Sequence, residues 1–429
     1  MRRFRKTKTT KGGPKMKKIL CLAVILFGFS GLGRTQSYDQ ETTETNRIQT
    51  AVDGFTTLHK YRLGVFRFRP ILNIRAGADS NGRYGDKDSK TIFDVFVSAT
   101  PGISGGLKFG QRAYLKIIEE VTFLYYFRLE ERRDIFNATR AEFVTGTPGI
   151  LFTFDAGYVR REEPVDEEVD VPVDHKIVHG GVRTEYSATE KIEMRHWFRN
   201  AESHYYDQVD PDSNVPPLRD RRTYTFGTGA LYSLNDRVGL TANFHLSRSE
   251  ALESGFDSSN WGLLGGMNFR KDKFSTHFGL GFGGTNNTSN DRKNFLMDAA
   301  LDYLLGTSLR VGTFINRRQE FSSLDDQAVR VTTQGGLRAS VPIISRISTS
   351  GTFTIGVNSY GNQPIGGQPV ENDTFQRADF GINFRVFSKL SLRAGATYEN
   401  RNTDIQGLTK DRFTYYFGFG VGYSIGFGL

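Results

Sequence analysis

Hydrophobic and small residues alternate without a break over the end of the chain. Phe413, Tyr415, Phe417, Phe419, Val421, Tyr423, Ile425, Phe427 and Leu429 take every odd position, and the even positions hold only Thr, Tyr, Gly and Ser. A β-strand sends successive side chains to opposite faces, so the pattern predicts one greasy face and one small, weakly polar face. A helix would smear the apolar groups around its axis, and the glycines would weaken it.

The same period of two recurs upstream. Residues 237–248 place Val238, Leu240, Ala242, Phe244 and Leu246 on one face, against Arg237, Thr241, Asn243, His245 and Ser247. Residues 375–387 set Ala378, Phe380, Ile382, Phe384 and Val386 against Arg377, Asp379, Asn383 and Arg385. Residues 390–401 set Leu390, Leu392, Ala394, Ala396 and Tyr398 against Ser391, Arg393, Thr397, Glu399 and Arg401. From Leu63 onward such segments are joined alternately by tight turns, such as Ser233–Arg237 and Arg270–Lys273, and by longer polar loops, such as Tyr206–Asp220 and Tyr360–Asp373. That rhythm predicts a transmembrane antiparallel β-barrel of about eighteen strands, with short periplasmic turns and longer extracellular loops. The less regular first third leaves sixteen as the alternative. An even number puts both termini on the periplasmic side. In the segment 112–129, Glu119 shares the apolar face with Leu115, Ile117, Val121 and Phe123; a bulge, a rim position or a different register is needed there.

Composition agrees with a barrel. Hydrophobic residues make up 38% of the 429, the mean hydropathy is −0.43, and Gly (47), Phe (35) and Tyr (18) are abundant. Past residue 37 no apolar run approaches the roughly 20 residues of a membrane helix. Only every second barrel residue meets lipid, so a low average is expected.

The start of the chain reads differently. Met16–Gly33 has a basic beginning, an apolar stretch and small residues before a polar region, the layout of a secretory signal peptide. Residues 1–37 are therefore expected to be a leader with cleavage between Gly33 and Ser37, residues 38–62 a periplasmic segment with a short helix around Thr45–Leu58, and residues 63–429 the barrel. The formal charge of +9 belongs to the leader: of 56 Lys and Arg against 47 Asp and Glu, ten basic residues and no acids fall within residues 1–37, leaving 46 against 47. Nucleic acid is thus no expected partner. Cys21, the single cysteine, also lies in the leader, and a thiol-free mature chain suits an oxidising compartment.

The candidate functional residues are the arginines whose parity points them inward: Arg67, Arg69, Arg75, Arg195, Arg199, Arg310, Arg318, Arg338, Arg385 and Arg393. Fixed cations in a pore bias which ions enter. The competing reading is that they pair with lumenal acids such as Glu193, Asp379 and Glu399 and brace the wall. Trp197, Tyr114, Tyr126 and Tyr416 are placed to stack on sugar rings or to serve as filler. The acidic stretch Glu162–Asp174 reads as a solvated loop, with cation binding or an inward constriction as alternatives. Asp210-Pro-Asp212-Ser-Asn214 begins like a calcium loop, but Val215 stands where Gly is needed and Arg221 where the closing Glu belongs. His245 and Ser247 share a face, yet no Ser/His/acid set or metal-ligand spacing emerges. No enzyme activity and no cofactor are expected.

Two resemblances add to this reading. The terminal alternation ending in Phe427-Gly-Leu429 resembles the C-terminal signature of bacterial outer-membrane barrels, with a Gly-Leu extension as a departure. It implies that Tyr423, Ile425, Phe427 and Leu429 form an insertion signal for the barrel-assembly machinery. Residues 65–160, through Arg67-Phe-Arg-Pro, Asp79-Ser80-Asn81, Pro101-Gly102 and Glu131-Arg-Arg-Asp-Ile-Phe136, resemble the opening of a β-barrel porin family of poorly established activity, some members of which are encoded beside exopolysaccharide export genes. The resemblance implies a barrel in a Gram-negative outer membrane, in contact with its lipid and lipopolysaccharide, and supports that fold better than any substrate; the barrel with its polar lumen is expected to let small polar or anionic solutes diffuse passively or to export glycan together with polysaccharide export components. The alternative is a non-conducting surface, structural or adhesion barrel, with a barrel-embedded hydrolase ranked last.

Overall fold

The structure, a computed structural model, describes residues 47–80, 93–130, 133–164, 172–206, 218, 220–252, 257–287, 292–322, 329–360, 364–365, 368–369, 373–387, 390–404 and 410–421. The leader, the acidic residues 165–171, the calcium-like stretch at 210–214 and the signal residues Tyr423, Ile425, Phe427 and Leu429 lie outside the described residues.

Eighteen antiparallel strands close into one barrel. They are β1 (Phe66–Asp79), β2 (Asp94–Phe109), β3 (Ala113–Tyr126), β4 (Asp134–Thr147), β5 (Ile150–Pro164), β6 (Pro172–Thr189), β7 (Ile192–Tyr205), β8 (Arg221–Asn235), β9 (Val238–Ala251), β10 (Asp257–Lys271), β11 (Phe274–Asn287), β12 (Arg292–Leu305), β13 (Leu309–Phe321), β14 (Val329–Ile344), β15 (Ile347–Ser359), β16 (Asp373–Phe387), β17 (Leu390–Thr403) and β18 (Lys410–Val421). The expected eighteen is therefore correct, and the alternation of short and long connections holds through the first third as well. β5 and β6 pair out to Pro164↔Pro172, so the flanks of the expected acidic loop are strand.

The seam is made by β1 and β18, in register from Leu72↔Val421 to Asp79↔Thr414. Arg412 seals it from the lumenal side. Its Nε and Nη2 donate to the two oxygens of buried Asp79 at 3.1 and 2.6 Å. Ser80 N donates to Phe413 O, and Phe413 N to Ser80 Oγ, both at 2.8 Å.

Register settles which face is which, because paired residues share a face. Ile74, Phe419 and Leu392 form one row across three strands, and Ala78, Tyr415 and Ala396 another. These rows carry the exposed apolar residues, among them Phe417 (56%), Phe380 (52%) and Leu337 (60%). A soluble protein would not leave so continuous an apolar skin. Glu119 remains on that skin. The β2–β3 register runs without a shift from Phe96↔Tyr126 to Phe109↔Ala113, so no bulge turns it inward, and it sits mid-strand opposite Ile103 and Thr139. Its carboxylate accepts from Thr139 Oγ1.

Several inward glycines make room for rings lying flat on the wall. A Cβ at Gly227 would stand 2.9 Å from the Trp197 indole, one at Gly262 2.9 Å from His245 Nε2, and one at Gly395 2.5 Å from the Tyr416 hydroxyl. At these positions the rings cover the backbone of the wall. The turn between β10 and β11 places Asp272 at φ 45°, a left-handed position that Asp tolerates.

Before the barrel, helix α1 (Arg47–Leu58) and a short strand at Tyr61–Leu63 precede β1. The strand folds back on Phe66–Phe68. Ile48, Val52 and Phe55 of α1 are buried against Tyr114 and Val144, with Ala51 and Leu151 alongside. Each side chain so buried contributes about 1.5–3 kcal/mol.

Candidate functional site: the barrel lumen

Strands about 4.8 Å apart and tilted about 40° give eighteen of them a circumference of about 110 Å and a diameter of about 36 Å. Side chains on both walls reduce this to an open width on the order of 25 Å. The space has three levels, defined by the end with the long loops, the middle, and the end with the tight turns.

At the loop end, charges pair in a ladder around the wall. Arg318 Nε lies 2.9 Å from Glu320, which also holds buried Arg330 at 2.8 Å. Asp373 receives Arg401 Nε at 2.8 Å and Nη2 at 2.7 Å, together with Asn358 Nδ2 at 2.9 Å and the Tyr360 hydroxyl at 3.1 Å. Arg377 pairs with Asp379 at 2.9 Å and Glu399 at 3.3 Å, and Glu399 meets the seam residue Arg412 at 3.6 Å. Two contacts link distant strands: Arg221 Nη1 to Ser322 O at 2.9 Å and Arg292 Nη1 to Tyr360 O at 2.8 Å.

In the middle, the wall from β16 round to β7 is charged, its arginines interspersed on β3 to β6 with the inward acids Glu120, Glu142, Asp155 and Glu185. Arg393, Gly418 and Arg75 form one row across β17, β18 and β1. Gly418 has no side chain to part the two arginines. Arg75 lies over the Tyr416 ring at 5.2 Å, and Arg393 Nε donates to Asn383 Oδ1 at 3.4 Å. Arg385 follows one row away, opposite Ser391. Arg195, opposite Glu185, and Arg199, opposite Gly181, extend the basic surface on β7. The facing wall, β8 to β11, is different. Its inward positions carry Thr241, Asn243, His245, Ser247, Asn260, Asn268 and His277 among glycines. The lumen thus has one charged and one neutral polar side.

A second glycine serves an ion pair. Asp302, Gly312 and Arg338 share a row, and Arg338 reaches across Gly312 to Asp302 at 2.9 and 2.6 Å.

At the turn end, α1 crosses the wall. Arg47 pairs with Glu193 of β7 at 2.7 Å. Phe55 stacks on Tyr114 of β3 with centroids 4.8 Å apart. Arg67 Nη1 donates to Thr56 O at 3.5 Å. His59 is buried; its Nδ1 lies 2.8 Å from Phe55 O and its Nε2 2.8 Å from Ser104 Oγ. A carbonyl only accepts, so Nδ1 carries the proton and Nε2 accepts from the serine. Burial pushes the His59 pKa down, and Arg69, Lys116 and Arg67 push the same way, against the Phe55 carbonyl.

All ten sequence-derived arginines lie on inward positions: three on β1, Arg195 and Arg199 on β7, Arg310 and Arg318 on β13, Arg338 on β14, Arg385 on β16 and Arg393 on β17. They do not converge. Arg75, Arg393 and Arg385 form one patch, Arg318 and Arg338 join ion pairs, and buried Arg69 stands near the turn-end helix. Trp197, Tyr114, Tyr126 and Tyr416 also face inward. Asp302, Asp79 and Arg412 escaped the sequence reading. Parity along β12 would have found Asp302, but nothing local shows that Asp79 and Arg412 meet. Among the described residues no cluster of three or more metal-ligating side chains occurs.

No family model matches the chain, and no curated protein does. Solved structures do. A BenF-like porin from Pseudomonas fluorescens Pf-5 aligns with a TM-score of 0.51 at 10% identity, over 83% of this chain and 99% of its own. OpdO of Pseudomonas aeruginosa gives 0.48 at 11%, over 84% and 98%, and OccAB3 of Acinetobacter baumannii 0.47 at 10%, over 82% and 98%. At such identities the likeness to the BenF-like porin speaks for the fold alone.

Proposed function

We propose that the chain is an outer-membrane channel that lets small polar solutes diffuse through its lumen, with a preference for anions. The observation that carries this is the contrast between an apolar outer skin and a polar lumen whose middle wall carries Arg75, Arg393 and Arg385 in one patch. An Arg facing lipid at mid-bilayer would cost about 2–4 kcal/mol, so this surface requires water inside. Fixed cations lining a pore raise the local concentration of anions. On this reading the signal peptide delivers the chain to the periplasm, the assembly machinery inserts it, lipid and lipopolysaccharide surround it, and the turn end with both termini faces the periplasm.

Planar-bilayer recording of the refolded mature protein tests the reading. Stable conductance steps are expected, with a reversal potential in a salt gradient that favours anions. Arg75→Glu with Arg393→Glu should move the reversal toward cations. A folded, heat-modifiable protein that stays silent would refute the channel. Glycan passage is a second reading, favoured by the flat rings of Trp197 and Tyr416 on the lumen wall; block of the ion current by oligosaccharides would distinguish it.

A further inference from the structure

The channel reading leaves α1 unused. Twelve helical residues sit inside the turn-end mouth of a barrel that is already closed without them. Their attachment is distributed. The N-terminal end is tied to β7 through Arg47 and Glu193. The apolar face is set into β3, β4 and β5 through Tyr114, Val144 and Leu151. The C-terminal end is tied to β2 and β1 through His59–Ser104 and Arg67–Thr56. Val52 is wholly buried and Ile48 and Phe55 almost so. A segment loosely parked in a wide pore would not be anchored to strands at both of its ends and along its length. The opposite face carries Thr50, Asp53, Gly54, Thr57 and Leu58, all exposed, and Gln49 Nε2 holds the Asp53 carboxylate at 2.9 Å.

Geometry gives the helix a consequence for transport. It is about 18 Å long and 10–12 Å wide, against an open width on the order of 25 Å. Lying as a chord from β7 to β2, it covers about two fifths of the mouth.

We propose that α1 is the size filter of this channel: a fixed constriction at the turn end whose remaining aperture lies between the Thr50–Asp53–Thr57 face and the far wall of the barrel. This rests on the channel reading above. It also assigns Asp53 a role as the acidic residue at an opening otherwise approached past arginines, so that the filter tempers the anion bias of the middle.

The test is single-channel conductance of the refolded mature chain, with liposome swelling in sugars of graded size, on three variants. Deletion of residues 47–58 and Val52→Glu, which forces a charge into the apolar seat, should each raise conductance about 1.5–2-fold and admit larger sugars. Asp53→Lys, on the exposed face, should leave the docking intact and shift the reversal potential further toward anions. Unchanged conductance and size limit in a heat-modifiable deletion variant would overturn the filter while leaving the channel standing. A silent native protein with a conducting deletion variant would sink the open channel and keep α1 as the barrier. Silence from both would overturn both. An Asp53→Lys variant with native selectivity would remove the aperture from the face assigned to it.

Discussion

Replacing Arg401 with methionine should be among the most damaging single changes in the barrel wall. Arg401 and Asp373 have side chains that are 0% exposed. The guanidinium gives the carboxylate two bonds, at 2.8 and 2.7 Å, and Asn358 and Tyr360 supply two more. Methionine keeps the stem and removes the charge, leaving the Asp373 carboxylate buried and short of its main partner. Breaking a buried pair in this way costs about 3–5 kcal/mol, far above the ~0–1 kcal/mol of an exposed pair. Urea unfolding in lipid vesicles, followed by the fluorescence of the two tryptophans and by heat-modifiability on gels, reads the change. Arg401→Met with Asp373→Asn should cost no more than the single change, because neither charge is then stranded. A loss below about 1 kcal/mol for Arg401→Met, or strict additivity in the double variant, would refute the buried-pair argument.

Three further outcomes follow from the same structure. Glu119→Leu, which removes the mid-strand carboxylate from the lipid-facing skin, should stabilise the barrel by about 1–2 kcal/mol in vesicle unfolding, since acids on that face cost less than the ~2–4 of a base but still cost; a destabilised variant would mean that the face is covered by something polar. Gly312→Ala should cost about 1–3 kcal/mol by wedging apart Asp302 and Arg338, as a Cβ there would stand 2.8 Å from Arg338 Nε; Arg338→Ala in the same chain should recover part of the loss. His59 titrates below its free value when α1 is docked, through burial first and then Arg69, Lys116 and Arg67. A depressed histidine favours docking in its neutral form, so docking is full above the free pKa of about 6.5 and weakens as pH falls below it. Conductance should therefore rise or grow noisy as the pH falls below about 6.5, and His59→Gln should flatten that dependence.

What the sequence determined by itself was everything local in period. Alternation at 237–248, 375–387, 390–401 and 413–421 placed the right side chains outward, because a strand's two faces are set by each residue's own parity. Turn chemistry at 233–237 and 270–273 fixed where the chain reversed. Together these gave the strand number and the inward set of arginines, and even the oddity of Glu119, which the structure leaves on the outer skin. Only the tertiary structure decided which inward residues meet. Asp79 and Arg412 are brought together by closure of the barrel, and Asp302 and Arg338 by the register of three strands over a glycine. The packing of α1 onto the inner wall was equally invisible. Its amphipathic pattern says that Ile48, Val52 and Phe55 need a surface, and only the stagger of β3, β4 and β5 puts Tyr114, Val144 and Leu151 together to provide it. Parity is a property of one strand, whereas partnership depends on the offsets between strands, which no single segment records.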